Sequence, residues 1–289
     1  KDHAKVHHQP SIPVGTDRDT RLMVNLGVIF PPDRPPEELR KVAQQAERSG
    51  VAELWLWEDC FAESGIATAA AVLAWTQRLR VGIGLLPVPL RNVALTAMEL
   101  ATLARLFPGR LSPGIGHGVL DWMGQVGARA QSPLTLLGEY ATALRELLRG
   151  ATVNAAGRYV RLEDVTLAWP PEAVPPLLVG AVGPRTLELA GSTGDGVILT
   201  GETSVEQLAA ALPRIRAGRD GAGRTGEAEV VVFHAVEGAP PAGEVAATVA
   251  RYAAAGATTV ALHSVGESAP PLREFAGFVG SEVSPLVRG

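Results

Sequence analysis

From Met23 onward, short apolar runs alternate with longer runs in which apolar residues recur every three or four positions. A short run bounded by turn residues reads as a buried strand and the longer period as an amphipathic helix, so the alternation predicts βα units around a parallel sheet. Residues 23–30 (MVNLGVIF) form the first predicted strand. After a proline-rich loop, residues 35–38 open a helix whose Leu39, Val42, Ala43 and Ala46 share one face, and Gly50 closes it. The second strand is 53–57 with a helix over 65–76. The third is 79–85, followed by a helix with Val93, Ala97, Leu100, Ala104 and Phe107 in register, stopped by Pro108 and Gly109. The fourth strand, 110–116, leads through a loop around Trp122 to a helix carrying Leu137, Ala141, Leu144 and Leu148.

The rhythm then breaks. Residues 152–167 hold two alternating segments separated by Ala156 and Gly157, the pattern of a β-hairpin inserted before the fifth strand. The remaining strands are 176–180, 196–200, 229–236 and 258–263, with helices over 184–190 and 204–217, one carrying Val245, Val249 and Tyr252, and a last one from about 271. Eight such units predict an α/β fold of the (β/α)8 TIM-barrel type with a small hairpin insertion. An open dinucleotide-binding sheet would want a glycine-rich turn after the first strand, where this chain has FPPDRPPE. The uniform pattern assigns residues 23–289 to one domain. Residues 1–22 are polar and aperiodic, and read as a flexible or tag-like leader whose His3, His7 and His8 carry no chemistry.

Composition narrows the function. The formal net charge is -4, with lysine only at positions 1, 5 and 41, so no basic stripe is available for nucleic acid. No apolar run approaches the roughly 20 residues that span a bilayer. The single cysteine, Cys60, has no internal partner, and no Cys/His spacing suggests zinc, so the expectation is a cytoplasmic protein without a metal site. Without a lysine past Lys41, Schiff-base chemistry at a barrel exit is also unsupported.

In a barrel the chemistry collects where strands end and βα loops begin. The second strand ends in Glu58 and Asp59. One of them either caps the next helix or pairs with an arginine, or faces the mouth to bind cofactor or substrate, and strand alternation lets only one of the two face inward. The fourth strand ends with His117 between Gly116 and Gly118, where the backbone can approach a ligand closely. After the fifth strand, Gly180, Ala181, Val182 and Gly183 run into a helix start, a plausible phosphate cradle that Thr200 and Gly201 of the sixth exit would flank. His234 and His263 read as rim or core histidines, and Trp122 and Met123 as pocket wall or rim cover.

The segments LGVIFPP, ELWLWEDC, RLRVGIGLLPVPLRNV, FPGRLSPGIGHG and PPLLVGAVGPRTLELAGSTGDGVIL, in that order, resemble the bacterial luciferase-like family of flavin- and deazaflavin-dependent oxidoreductases. The resemblance implies FMN or coenzyme F420 bound across the barrel mouth, with a non-prolyl cis peptide at Gly84 and Leu85 backing the ring. It assigns acid/base roles to Glu58 or Asp59 and His117, and places the cofactor phosphate at Gly180 to Gly183 and Thr200. The blocks at 57–61 and 114–118 look most like the F420-dependent branch, although some F420 enzymes carry glutamate where this chain has His117. The expectation is an F420-dependent hydride transfer to or from a small organic substrate by a homodimer. The alternatives are an FMN-dependent monooxygenase using oxygen or a barrel that binds flavin without turnover.

Overall fold

A computed structural model describes residues 24–288. The leader read at 1–22 and its histidines lie outside the described residues. The elements run β1 (Asn25–Phe30), α1 (Leu39–Ser49), β2 (Glu53–Leu56), α2 (Gly65–Trp75), β3 (Arg80–Pro87), α3 (Val93–Leu106), β4 (Leu111–Gly116), α4 (Leu120–Gln125) and α5 (Pro133–Leu148). The hairpin β5 (Val153–Ala156) and β6 (Arg161–Val165) follows, then β7 (Leu178–Ala181), α6 (Pro184–Thr193), β8 (Gly196–Leu199), α7 (Val205–Gly221), β9 (Glu229–Glu237), α8 (Ala242–Ala254), β10 (Thr259–Val265), α9 (Leu272–Phe278) and α10 (Ser284–Arg288).

The strands β1, β2, β3, β4, β7, β8, β9 and β10 close into a barrel in chain order, and every neighbouring pair is parallel. The (β/α)8 expectation therefore holds, and the hairpin forms a separate two-stranded sheet ahead of the fifth barrel strand. One difference is α4, a short helix where the sequence suggested only a loop. Met123 drives it, fully buried and packed beside Gly118.

Strand alternation divides the apolar residues into two sets. Outward positions such as Leu26, Val28, Leu54, Val81 and Val179 join the helices in one large core. Inward positions form a small cluster of Ile29, Trp55, Leu178, Ile198, Val231, Phe233 and Ala261, with Trp57 above. Trp55 dominates this filling, and it fits because its neighbours are glycine. A Cβ on Gly82 would lie 2.4 Å from the indole and one on Gly27 2.8 Å from it. The indole Nε1 donates to Glu53 at 2.9 Å, and Glu53 pairs with Arg80 near the barrel floor.

Two carboxylates fasten loops to helices. Glu139 of α5 accepts from the backbone N–H groups of Arg158, Tyr159 and Val160, which ties down the hairpin turn. Glu47 of α1 accepts from Gln77, Arg78 and Leu79, which fixes the approach to β3. Partial burial acts to raise the Glu47 pKa, but those three donors together with Arg78 outweigh it and hold the group below the ordinary 4.5. A depressed folded-state pKa contributes stability above the unfolded value that is lost as the carboxylate protonates in the folded state. Glu47→Gln is expected to cost about 1 kcal/mol at pH 7 by urea denaturation. The difference from wild type should shrink as pH falls from 4.5 through the lower folded-state value.

Candidate active site

The mouth of the barrel is shaped by the exit of β3. The Gly84–Leu85 peptide is cis, as the resemblance implied, and the register of β3 on β4 shifts between Ile83 and Leu86. This turns the Leu85 side chain across the top of the barrel. A Cβ on Gly116 would stand 2.6 Å from Leu85 Cδ2 and one on Gly180 2.2 Å from it, so glycine at the ends of β4 and β7 makes room for that side chain. A second non-prolyl cis peptide, Cys60–Phe61, lies beside the mouth and carried no signal in the sequence.

Above Leu85 opens a cavity of about 480 Å³, within the range of small-molecule and cofactor sites. Glu58, Asp59, Gly84, Leu85, His117, Gly118, Gly180, Ala181, Val182, Gly183, Thr200 and Gly201 line it, so the structure brings together residues from five exits. Gly116 does not line it: its place under Leu85 makes it part of the floor's support. The lining also includes Trp57, Trp122, Thr186 and Phe233. Phe233 sits mid-strand in β9, in an ordinary apolar run, and nothing in the sequence marks it as a site residue.

The adjacent carboxylates part company as alternation requires. Glu58 turns away from the barrel axis and is buried. It accepts from the Gly65 N–H at the start of α2 and from both terminal nitrogens of Arg91, with Oε2 to Nη2 at 2.7 Å. Arg91 also approaches Glu99 at 3.8 Å. Glu58 thus both caps a helix and pairs with an arginine, and its oxygens are taken.

Asp59 faces the cavity and, among the described residues, its carboxylate has no ion pair or hydrogen bond. Half-burial pushes its pKa above the ordinary 3.8. His117, just past the end of β4, has a buried Nδ1 without a hydrogen-bond partner. Burial lowers its pKa from 6.5, against a smaller opposing pull from the Pro133 backbone. Burial raises the Cys60 thiol, and Glu58 and Asp59 add to the effect, so it is not an activated nucleophile.

The two helices beyond differ at their starts. Ser204 closes the N-terminus of α7 with a capping box through Gln207. Helix α6 has no such side-chain cap: Gly183 has no side chain, Pro184 has no N–H, and the Thr186 and Leu187 amides donate to the Gly183 carbonyl, so the helix start offers the Arg185 N–H and its dipole together with the Thr186 and Thr200 side chains at the cavity. On the far rim, His263 stands edge-on to Trp57, with ring centroids 5.3 Å apart. His234 lies against Tyr252, whose hydroxyl donates to the Thr203 carbonyl at 2.8 Å. Among the described residues no cluster of His, Cys, Asp and Glu has the arrangement of a metal site.

Comparison with known proteins agrees with this architecture. The family model described as luciferase-like monooxygenase matches residues 16–276. A 5,10-methylenetetrahydromethanopterin reductase from Methanolobus tindarius is 30% identical over 204 residues, covering 68% of this chain and 61% of the relative. An F420-dependent glucose-6-phosphate dehydrogenase from Kineococcus radiotolerans is 32% identical over 203 residues, covering 66% and 60%. The chain therefore spans about three fifths of the length of these relatives. The solved coenzyme F420-dependent tetrahydromethanopterin reductase of Methanopyrus kandleri superposes with a TM-score of 0.78 at 20% identity over 91% of this chain and 99% of that one. An F420-dependent secondary alcohol dehydrogenase, solved with an F420-acetone adduct, superposes at 0.82 with 19% identity over 92% and 99%.

In the Glu58–Arg91 pair the carboxylate is buried and the guanidinium partly so, and removing the arginine leaves an uncompensated buried charge. Arg91→Ala is expected to destabilise the fold by about 3–5 kcal/mol in urea denaturation, whereas the double variant Glu58→Gln, Arg91→Met should lose much less. Equal losses in the two would remove this reading of the pair.

Proposed function

This chain belongs to the luciferase-like monooxygenase family, and from that premise we propose that it is a coenzyme F420-dependent oxidoreductase, moving a hydride between the deazaflavin and a small organic substrate. The observation that carries the proposal is the cavity itself: a floor formed by Leu85 beyond the cis peptide, the unpaired Asp59 carboxylate and the His117 ring on one side, and a helix start without a side-chain cap on the other. Relatives named as F420-dependent support the deazaflavin over FMN.

The residues present fit such a group. A flat ring system suits the space over Leu85, which glycine at 84 and 180 lets Phe233 and Leu85 floor, while a Cβ at Gly183 or Gly201 of the lining would meet nothing within 4 Å. The Gly183 and Arg185 amides and the dipole of α6, with the Thr186 and Thr200 hydroxyls, would hold a phosphate. When bound, F420 supplies or accepts the hydride. The protein is left with the proton. Asp59 and His117 are the candidates to hold it: above the acid range the first is a carboxylate and the second a neutral imidazole, and both accept a proton in substrate oxidation. Glu58 we assign to positioning, because Arg91 and the Gly65 N–H occupy it. We also infer a homodimer, since α3 leaves Leu95, Met98 and Leu106 exposed along one face.

Titration of the purified protein, followed by cofactor fluorescence, should show micromolar binding of F420 and weaker binding of FMN. The reverse order would move the protein to the flavin-dependent monooxygenases, and binding of neither would remove the cofactor reading. Asp59→Asn and His117→Gln should keep F420 affinity while lowering turnover by about 100-fold or more. The wild-type rate of oxidation should rise with pH through the acid range and level off below 6.5, because burial lowers the His117 pKa from that value. His117→Gln should flatten that limb if His117 is the acceptor. In sedimentation velocity, Leu95→Glu with Met98→Glu should convert a dimer into monomer.

A further inference from the structure

The substrate half of the mouth has a charge pattern of its own. The cavity lining offers aromatic and aliphatic walls in Trp57, Trp122, Phe233 and Val119 and one unpaired carboxylate, Asp59, beside the Arg91-paired Glu58, but no lysine or arginine. The nearby cation Arg91 is committed to Glu58 and Glu99. Arg34, in the loop after β1, is not part of the lining. The rim is acidic where it borders His263, with Glu202 and Asp33 both acting electrostatically on that ring. The one place in the lining built for an anion is the start of α6, which the cofactor's phosphate would use.

A phosphate or carboxylate on the substrate would lose its hydration against Asp59 and the negative faces of aromatic rings, and it would meet no counter-charge there. A hydroxyl or carbonyl oxygen has no such penalty, and Asp59 or His117 can hydrogen-bond it. We propose that the site takes an uncharged alcohol or carbonyl compound with an apolar body and rejects the phosphorylated or carboxylated counterpart. The proposal rests on the oxidoreductase reading for the fate of the substrate, but the charge argument for what enters the cavity is independent of it. In the oxidation direction the C–H bond breaks and its hydride passes to the cofactor. The O–H proton goes to Asp59 or His117 and the C=O bond forms; reduction runs the same exchange backwards.

Cyclohexanol and cyclohexyl phosphate make a matched pair that differs in charge. Their binding to the full chain, measured by saturation-transfer NMR titration, should favour the alcohol by about 100-fold, the scale of one desolvated charge without a partner. The titration is run twice, with saturating F420 and with saturating inorganic phosphate in place of cofactor. Discrimination in phosphate alone, with F420 ignored, would sustain this proposal while removing the cofactor reading. Val119→Lys places a cation on the exposed edge of the cavity and should cut the discrimination to about 10-fold or less. Equal or tighter binding of the phosphate ester, no binding of the alcohol in either setting, or unchanged discrimination in Val119→Lys would each overturn it.

Discussion

The mouth of this barrel depends on how a small number of bulky side chains are seated inside a ring of eight strands. Parallel strands buried on both faces must fill their interior to close packing. This chain does so by setting large residues against glycine: Trp55 against Gly27 and Gly82, Phe233 against Gly84, and Leu85 against Gly116 and Gly180. Each glycine is a place where an added methyl would collide with a ring or a branched chain. The cavity floor is the last layer of the core, so site and core are one packing problem.

The sides of the site follow from a second constraint, the two-residue period of a strand carried past the end of β2. Trp57 continues the inward set, Glu58 falls outward and Asp59 returns to the cavity. The outward carboxylate is met by an arginine and a helix N-terminus and becomes structural. The inward one is met by space. Neighbouring residues of like chemistry thus differ in availability because of where the pleat leaves them.

Much of this was legible in the sequence, and for physical reasons. Helix and strand periods differ enough to reveal eight units, and Ala156 and Gly157 mark the hairpin turn because a Cβ at 157 would run into Glu139. The exits after β2, β4 and β7 carry conspicuous residue types, so Asp59, His117 and the run from Gly180 to Gly183 stood out. What stayed hidden depends on long-range contact. The partnership of Arg91 with Glu58 joins residues far apart in the chain. Phe233 reads as core because it is core, and only the barrel's closure shows that its ring also reaches the cavity. Gly116 shows the converse: a glycine beside a histidine suggested ligand contact, and its space is taken by Leu85.

The hairpin offers a different kind of freedom. It sits between β4 and β7, yet those two strands pair directly with each other, and the hairpin's own sheet shares no hydrogen bond ladder with the barrel. Its turn is fastened chiefly by one carboxylate, Glu139, with Tyr159 accepting from the Ser132 N–H and Arg158 donating to Gln131 beside it. For protein engineering this is a natural splice point: a longer hairpin or a grafted recognition loop anchored at that carboxylate would extend the surface while leaving the strand register of the eight-stranded barrel unchanged.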